Sequence, residues 1–239
     1  SSEYISNEND DEVENSFEDE ETSMVTILSV SNVRYAMGYI SSRFYGEPSK
    51  DMTVIGITGT KGKTTTSYMI REMLKLAGVR CGLIGTIEMT YQDVSIPAAN
   101  TTPESIVIHK VMRDMVDAGI ECVVMEVSSQ GLMLDRVSGV DFDYGLFTNL
   151  SPDHIGPNEH DSFENYRDCK KKLFSLCRRG IFNIDDPYAE YMMEDSTCDA
   201  FTYGRNEYAD YRACGHELFF ENGILGIEYD IEGTLEGRI

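Results

Sequence analysis

The chain has 239 residues, of which 41% are hydrophobic, and carries a formal net charge of −22 at pH 7. This length and apolar content allow one large domain with a substantial core. The charge argues against nucleic acid or an anionic membrane as partner, because phosphate groups would be repelled. No signal peptide and no apolar run of roughly 18 residues, as a membrane span needs, is present. The six cysteines form no Cys-x-x-Cys pair, so we expect reduced core thiols and a cytoplasmic protein.

The first 49 residues contain an acidic segment followed by a strand-like segment, a helical segment and a linker. Residues 1–22 contain ten acidic and no basic residues, which predicts a disordered tail. Composition favours a solvated tail without a specific role over a regulatory arm. Residues 24–33 are strand-like, residues 36–45 have the pattern of a short amphipathic helix, and residues 46–49 read as a linker.

Beyond residue 51, strand-like and helix-like segments alternate. This pattern predicts an α/β domain built on a mostly parallel sheet with helices on both faces. Two β-hairpins are added, one at residues 87–97 and one in the C-terminal region at residues 218–225, where Asn222-Gly223 is a strong turn signal. The parallel strands are predicted at residues 53–58, 80–84, 122–127, 144–149 and 180–184.

Two long helices are predicted between these strands. The first covers residues 64–77 and ends at Gly78. The second covers residues 103–118, with Thr102 as N-cap, Pro103 as its first residue and Gly119 after its end. Its apolar residues at positions 108, 111, 112 and 115 recur with a helical period.

The most informative segment follows the first predicted strand. It is a glycine-rich loop that runs into a helix, with the residues Gly59, Thr60, Lys61, Gly62, Lys63, Thr64 and Thr65. The glycines let backbone N–H groups turn toward a phosphate, Lys63 adds a positive charge, and the Thr64 hydroxyl suits Mg²⁺. A Walker loop would have glycine where Ile57 stands, and an ordinary turn is the alternative. Strand, loop and helix together favour a nucleoside triphosphate as ligand.

Three further polar clusters follow the carboxyl ends of predicted strands, at residues 100–103, 126–130 and 148–154. Open parallel sheets bind ligands at this edge, so all four clusters are predicted to form one site. Glu126 interrupts an apolar strand and is explained either as a Mg²⁺ ligand or as the partner of a neighbouring lysine. His154 is either a ligand or an ordinary polar residue of a loop.

Lys170 lies on an apolar stripe of a predicted helix at residues 162–177, whereas Lys171 and Lys172 do not. An inward-facing lysine should have a depressed pKa, and a neutral amine can react with carbon dioxide to form a carbamate, a carboxylate-like metal ligand. The alternative is a lysine that extends its ammonium along the apolar face to solvent. Spacing alone favours this second interpretation.

These residues resemble the ATP-dependent Mur ligases, and in particular the branch that adds a diamino acid. The resemblance covers roughly residues 28–215. It is carried by Gly-Ile-Thr-Gly-Thr-Lys-Gly-Lys-Thr-Thr-Thr (56–66), Ala-Asn-Thr-Thr-Pro-Glu-Ser (99–105), Glu-Val-Ser-Ser-Gln-Gly-Leu (126–132), Asn-Leu-Ser-Pro-Asp-His (149–154) and Cys-Lys-Lys-Lys-Leu-Phe (169–174).

The resemblance implies a ligase in which ATP phosphorylates a peptide carboxylate and an amine attacks the acyl phosphate. The implied acceptor is UDP-N-acetylmuramoyl-L-alanyl-D-glutamate, and the implied amine is L-lysine or meso-diaminopimelate. Lys63 and the loop amides would hold phosphates, and Mg²⁺ would be held by Thr64, Glu126, His154 and a carbamate on Lys170. The positions that match substrate contacts are Asn100, Thr101, Thr102, Ser128 and Arg136.

The chain also departs from the family pattern. Lys61 stands where the family usually has asparagine, and Leu134 where some members have a substrate-binding glutamine. By resemblance, residues 23–48 correspond to the end of an N-terminal uridine-binding domain and residues 49–239 to part of the central ATP-binding domain. We therefore expect a truncated chain, working as a monomer, with little turnover alone. The open alternatives are another amide ligase of the superfamily, such as a lipid II amidotransferase subunit or a cyanophycin-type synthetase, and a non-catalytic nucleotide-binding module.

Overall fold

The computed structural model describes residue 27 and residues 29–157 and 159–233. The chain divides at Ser31 into two compact units, and the elements below all belong to the second, Asn32–Ile239. The predicted acidic tail at residues 1–22 lies outside the described residues. In the described part, no helix is both long and apolar enough to cross a membrane.

The second unit alternates helices and strands, as the sequence predicts. Its α-helices are α1 (Val33–Phe44), α2 (Lys63–Leu76), α3 (Ser105–Asp117), α4 (Ser129–Met133), α5 (Phe163–Lys171) and α6 (Ala189–Met193), with 3₁₀ turns at Pro48–Lys50 and Lys172–Ser175. Its strands are β1 (Thr53–Thr58), β2 (Cys81–Ile84), β3 (Glu88–Tyr91), β4 (Val94–Pro97), β5 (Cys122–Glu126), β6 (Phe142–Phe147), β7 (Cys177–Asn183), β8 (Asp199–Gly204), β9 (Tyr211–Glu221) and β10 (Ile224–Gly233).

These strands form one sheet in the order β10-β9-β8-β7-β6-β1-β5-β2-β3-β4. Seven strands run parallel to one another, in the spatial order β2, β5, β1, β6, β7, β8 and β9. The antiparallel additions are the β3–β4 hairpin at one edge and β10 at the other. The chain crosses β1 on its way from β5 to β6, so the carboxyl end of β1 is a switch point, where sheets of this type bind ligands.

Apolar side chains cover both faces of the sheet, which is why the central strands have near-continuous apolar sequences. All five residues of β5 are buried. One face carries the smaller core, in which Ile57, Leu83 and Val124 meet Tyr68, Ile70 and Leu74 of α2. The other carries the larger core, to which α3 contributes the four predicted positions, Ile108, Val111, Met112 and Met115.

Most predicted elements are confirmed, with shifted ends. The strands predicted at 144–149 and 180–184 lie at 142–147 and 177–183, and both hairpins are present. The predicted turn is confirmed by positive φ angles at Asn222 (52°) and Gly223 (81°). Gly78 and Gly119 follow α2 and α3 with φ of 83° and 75°, as expected for residues that end helices.

Four predictions are wrong. The strand predicted at 24–33 is absent from its described part, because Asn32 caps α1 and Val33 begins it. Thr102 is not the N-cap of α3, which is Glu104, because its hydroxyl is engaged with β5 and the loop after it. The helix predicted at 162–177 ends as a 3₁₀ turn, after which Cys177 begins β7. The cysteines are free, but only three are buried.

Candidate functional site

The phosphate loop is fixed by contacts with the end of β6. Gly59 has φ of 152°, and a Cβ on it would collide with the Thr148 hydroxyl, so only glycine fits. The Thr148 Oγ1 and Asn149 Nδ2 donate to the Lys61 carbonyl at 3.0 and 2.9 Å, and the Lys61 N–H donates to Asn149 Oδ1 at 2.9 Å. Ile57 is fully buried within β1, which explains why the loop begins without the Walker glycine.

The first turn of α2 follows this loop without a side-chain cap. Its N-cap is Gly62, at φ of 83°, which has no side chain to accept from the first N–H groups of the turn. Such N–H groups, with the positive end of the helix dipole, bind phosphate. Thr65, in this turn, is exposed.

Lys63 folds back over the loop. Its Nζ donates to the carbonyls of Gly59 and Thr60 at 2.8 and 3.3 Å. Burial lowers its pKa from the ordinary value, and the charge of Glu126 opposes this shift. Lys61 instead directs its Nζ to Asp153 at 2.7 Å and is largely exposed. The two lysines of the loop therefore have different surroundings, and only Lys63 is placed among the loop carbonyls.

Glu126, at the end of β5, is fully buried and collects hydrogen bonds from two threonines. Its Oε2 accepts from Thr64 Oγ1 at 2.9 Å and Thr86 Oγ1 at 3.0 Å, and its Oε1 accepts from the Thr86 N–H at 3.0 Å. Within the described residues it has no ion-pair partner within 4.0 Å, so the lysine explanation for this carboxylate is wrong. A Cβ on Gly85 would collide with the Glu126 Oε1. Glycine at position 85 therefore leaves room for this carboxylate.

The Glu126 and Thr64 oxygens suit Mg²⁺. Both are hard oxygen donors, and they converge at 2.9 Å beside an uncapped helix turn. In the part of the chain that the structure describes, no three His, Cys, Asp or Glu side chains cluster as a metal cage. This fits Mg²⁺, which proteins commonly hold with one or two side chains while nucleotide phosphates and waters complete the octahedron.

Lys170 faces inward from α5 with 1% of its surface exposed, so it does not reach solvent along the apolar face. Its Nζ donates to the Gly59 carbonyl at 2.9 Å and lies 4.5 Å from the centre of the Tyr166 ring. Burial, and secondarily the charge of Lys63, holds its pKa well below the ordinary value. The neutral, nucleophilic amine is therefore more accessible here than at an exposed lysine.

Tyr166 connects α5 to the phosphate loop, although its sequence position on the apolar stripe of the predicted helix indicates only a core residue. It is fully buried, and its hydroxyl donates to Thr60 Oγ1 at 3.0 Å. Burial raises its pKa to about 12, so the hydroxyl remains a donor. The buried His160 packs edge-on against its ring at 5.3 Å and hydrogen-bonds to Ser129 and Asn165. Tyr166 thus supports both Lys170 and the loop.

A cavity of about 320 Å³ joins the predicted clusters. It is lined by Lys63, Thr86, Ala99, Asn100, Thr101, Ser128, Ser129, Gln130, Arg136, His154 and Lys170. His154 reaches it from the loop after β6, with Nδ1 at 3.0 Å from Glu159 Oε1. Arg136 is paired with Glu104 at 3.0 Å and donates to the Thr102 carbonyl at 3.1 Å.

Of the predicted substrate contacts, Thr102 is not at the surface of this cavity. It is fully buried, and its Oγ1 donates to the Glu126 carbonyl at 3.0 Å and accepts from the Ser128 N–H at 2.9 Å. Ser128 lines the cavity while its hydroxyl accepts from Gly131 N–H at 3.0 Å as the N-cap of α4. Thr102 therefore holds the segment that carries Ser128, rather than facing a ligand.

Two residues of the site, Thr86 and Tyr166, were not predicted from the sequence. Thr86 follows the end of β2, so the rule that located the other clusters could have found it, although Ile-Gly-Thr lacks a distinctive polar run. Tyr166 gave no signal beyond its helical spacing with Lys170.

A parallel α/β sheet with a phosphate loop at its switch point defines a P-loop nucleotide-binding domain. Comparison with known proteins gives the family. Residues 57–232, more than half of the chain, match the Mur ligase middle domain. The chain belongs to the Mur ligase family.

Two relatives of the chain are 2,6-diaminopimelate ligases. The chain is 42% identical over 205 residues to the UDP-N-acetylmuramoyl-L-alanyl-D-glutamate--2,6-diaminopimelate ligase of Clostridium tetani, covering 86% of this chain and 42% of the relative. It is 46% identical over 188 residues to a Clostridium acetobutylicum enzyme of the same name, covering 79% and 39%. The chain thus spans about two fifths of these relatives' length.

Solved structures agree on the fold. A 2,6-diaminopimelate ligase of the same name superposes with a TM-score of 0.74 at 27% identity, over 87% of this chain and 44% of that one. A Mycobacterium tuberculosis folylpolyglutamate synthase superposes with a TM-score of 0.63 at 12% identity, over 82% and 50%, and at that identity shows the fold alone.

Proposed function

We propose that this chain is the phosphate-handling part of an ATP-dependent ligase that adds a diamino acid to UDP-N-acetylmuramoyl-L-alanyl-D-glutamate. The observation that carries the proposal is the single cavity shared by Lys63, His154 and Lys170 at the carboxyl edge of the sheet. The names of the relatives favour 2,6-diaminopimelate over lysine as the amine. The six cysteines, free in the structure, support a cytoplasmic location.

The proposed reaction forms an acyl phosphate on the acceptor carboxylate, which the amine then attacks. Bound Mg²⁺ would supply charge neutralisation on the phosphates, held by Thr64 and Glu126 and, in a second site, by His154. The loop amides and Lys63 would bind and orient the terminal phosphates. Asn100, Thr101, Ser128 and Arg136 would position the UDP-linked acceptor. This mechanism requires no protein nucleophile.

We further propose that Lys170 carries a carbamate. The neutral amine would attack carbon dioxide and release a proton, giving an anionic oxygen ligand in place of a buried ammonium. The burial of Lys170 and its distance of 2.9 Å from the Gly59 carbonyl support this proposal, because they place the new carboxylate beside the phosphate loop. ¹³C NMR with labelled bicarbonate tests it directly: a carbamate resonance is expected in the chain and is expected to be absent from Lys170→Met.

The first test is Mg-ATP binding by calorimetry. We expect Lys63→Ala to weaken binding by at least about 100-fold, since a charge-assisted phosphate contact is lost. Lys75→Ala is the matched control, because Lys75 belongs to the same helix but is 72% exposed and only distantly paired with Glu72. Equal Mg-ATP affinity of the two variants would contradict the assignment of this loop as the phosphate-binding site.

The second test is phosphate release from Mg-ATP with UDP-N-acetylmuramoyl-L-alanyl-D-glutamate present and diaminopimelate or lysine added in turn. Release that depends on acceptor and amine, and that is lost in Lys63→Ala, supports the ligase and identifies the amine. Binding without any release, unaffected by bicarbonate or by Lys170→Met, supports a non-catalytic nucleotide-binding module instead.

A further inference from the structure

Two cysteines lie side by side at the end of the sheet opposite to the phosphate loop. Cys81 begins β2 and Cys122 begins β5, and their Cα atoms are partners in the parallel register. Partners on neighbouring strands are about 4.8 Å apart, with side chains on the same face. That separation is within the range of roughly 4.4–6.8 Å found for disulfides. Each thiol shifts the pKa of the other, and Cys81 Sγ also donates to the Gly82 carbonyl at 3.4 Å.

The pair is reachable from one side. Cys81 is partly exposed and lines a cavity of about 400 Å³, whereas Cys122 is buried. Three basic residues line the same cavity, Arg71, Lys75 and Arg80, together with the acidic Glu88. A small neutral oxidant can therefore reach Cys81, whereas Cys122 is buried and does not line this cavity.

The contact makes the two thiols unequal. The neighbouring Cys122 thiol and the positive charge of Arg71 lower the pKa of Cys81, although burial and Glu72 oppose the shift. The neighbouring Cys81 thiol and burial raise the pKa of Cys122. Thiolates react and thiols do not, so Cys81 is the nucleophile of the pair.

We propose that Cys81 and Cys122 form a peroxide-sensitive dithiol site, in which Cys81 is the residue modified and Cys122 resolves it to a disulfide. The Cys81 thiolate attacks one peroxide oxygen, the O–O bond breaks, and the leaving hydroxide takes a proton to become water. Cys122 then attacks the Cys81 sulfenic acid, the S–O bond breaks, and a second water leaves with the Cys122 proton. Two thiols are oxidised and one hydrogen peroxide is reduced.

A second thiol pair provides an internal comparison. Cys177 and Cys198 are also neighbours, but Cys177 is buried and burial, with the Cys198 thiol, raises its pKa to about 12. No positive charge is among the causes acting on Cys177. Because Cys177 is not a thiolate, we expect the Cys177 and Cys198 pair to react with peroxide more slowly than the Cys81 and Cys122 pair.

The test treats the reduced, folded chain with hydrogen peroxide, removes the peroxide, unfolds the chain, alkylates the remaining thiols and analyses peptides by mass spectrometry. We expect the Cys81 and Cys122 peptides to appear joined and two hydrogens lighter than their sum, and to revert with dithiothreitol. Loss of alkylation at Cys81 should be at least about tenfold faster than at Cys177, as a difference of one pKa unit or more implies. This reactivity is independent of nucleotide binding, so it does not rest on the proposed ligase function.

Three variants separate the steps. In Cys122→Ser, dimedone should label Cys81 as a sulfenic acid. In Cys81→Ser, Cys122 should remain alkylatable, and Arg71→Gln should slow oxidation of the wild-type pair. The proposal is overturned if Cys81 is oxidised no faster than Cys177, or if Cys81 pairs with a different cysteine or with a second chain on a non-reducing gel. These two outcomes are read from wild-type protein and do not depend on how well any variant folds.

Discussion

The phosphate loop and the C-terminal hairpin of β9 and β10 differ in which side chains are buried and which are exposed. At the loop, polar groups are buried and are held by distant parts of the chain, as Glu126 is by Thr64 and Thr86. In the hairpin, large apolar groups are exposed, with Leu218 at 74% and Phe220 at 73%. The hairpin is specified by a local turn and by strand propensity, whereas the loop exists only in the folded domain. Substitutions in the two regions should therefore differ in effect.

The largest difference is expected between two glycines. Gly59→Ala should destabilise the chain by at least about 3 kcal/mol, because it combines a strained φ with a collision against Thr148. Gly223→Ala should cost only about 1 kcal/mol, because a Cβ there meets nothing within 4 Å and only the positive φ is unfavourable. Urea denaturation of both variants measures the contrast. Equal losses would show that the loop is no more constrained than the turn.

Glu126→Gln is expected to separate stability from binding. Among the described residues Glu126 has no ion-pair partner within 4.0 Å, so this change should alter the free energy of unfolding by no more than about 1 kcal/mol, because the threonine hydroxyls can turn to accept from the new amide. Mg²⁺-dependent ATP affinity should fall about 100-fold, or about 2.7 kcal/mol. The control is Glu121→Gln, in an exposed pair with Arg80. If magnesium dependence survives in Glu126→Gln, the carboxylate is not a ligand.

The same contrast explains what the sequence could predict. The succession of strands along the chain, the glycine-rich loop between β1 and α2 and the Asn222-Gly223 turn carry local signals, and the structure of each is confirmed. Thr102 shows the limit: a threonine before a proline and a helical pattern resembles an N-cap, yet its hydroxyl is taken by Glu126 and Ser128. A local rule cannot anticipate a competing partner that is 24 or more residues away.

Within the site, buried partners were harder to predict than exposed ones. Spacing alone favoured a solvated Lys170, because periodicity shows which face a residue occupies but not whether the chain covers it. The structure buries it between Tyr166 and the Gly59 carbonyl. Tyr166 was missed for the same reason, since nothing in a helical stripe distinguishes a core tyrosine from one that binds a loop 106 residues away.

Lys170 should also make stability depend on pH. Its folded pKa lies well below the ordinary 10.5, so the unfolded chain binds more protons between those two values. The penalty for burying the ammonium is full below the folded pKa and disappears as pH rises toward 10.5. Relative to Lys170→Met, wild-type stability should rise through this window by up to about 1.4 kcal/mol per pH unit. Denaturation in buffer free of carbon dioxide measures it, with the exposed Lys172→Met as control. Parallel curves for wild type and Lys170→Met would contradict the assignment.

The smallest expected effect is that of Tyr166→Phe on Mg-ATP affinity, which tests a single hydrogen bond to the phosphate loop. Tyr166→Phe removes only the hydroxyl that donates to Thr60 and keeps the ring beneath Lys170, so Mg-ATP affinity should fall about fivefold, or about 1 kcal/mol. Thr60→Val removes the same hydrogen bond from the other side, and the double variant should show a coupling of about 1 kcal/mol. Tyr203→Phe is the control, because its hydroxyl donates to the Phe147 carbonyl at 3.3 Å and not to the loop. Additive losses in the double variant would mean that Tyr166 supports the core alone, whereas coupling would show that α5 positions the phosphate loop through this hydroxyl.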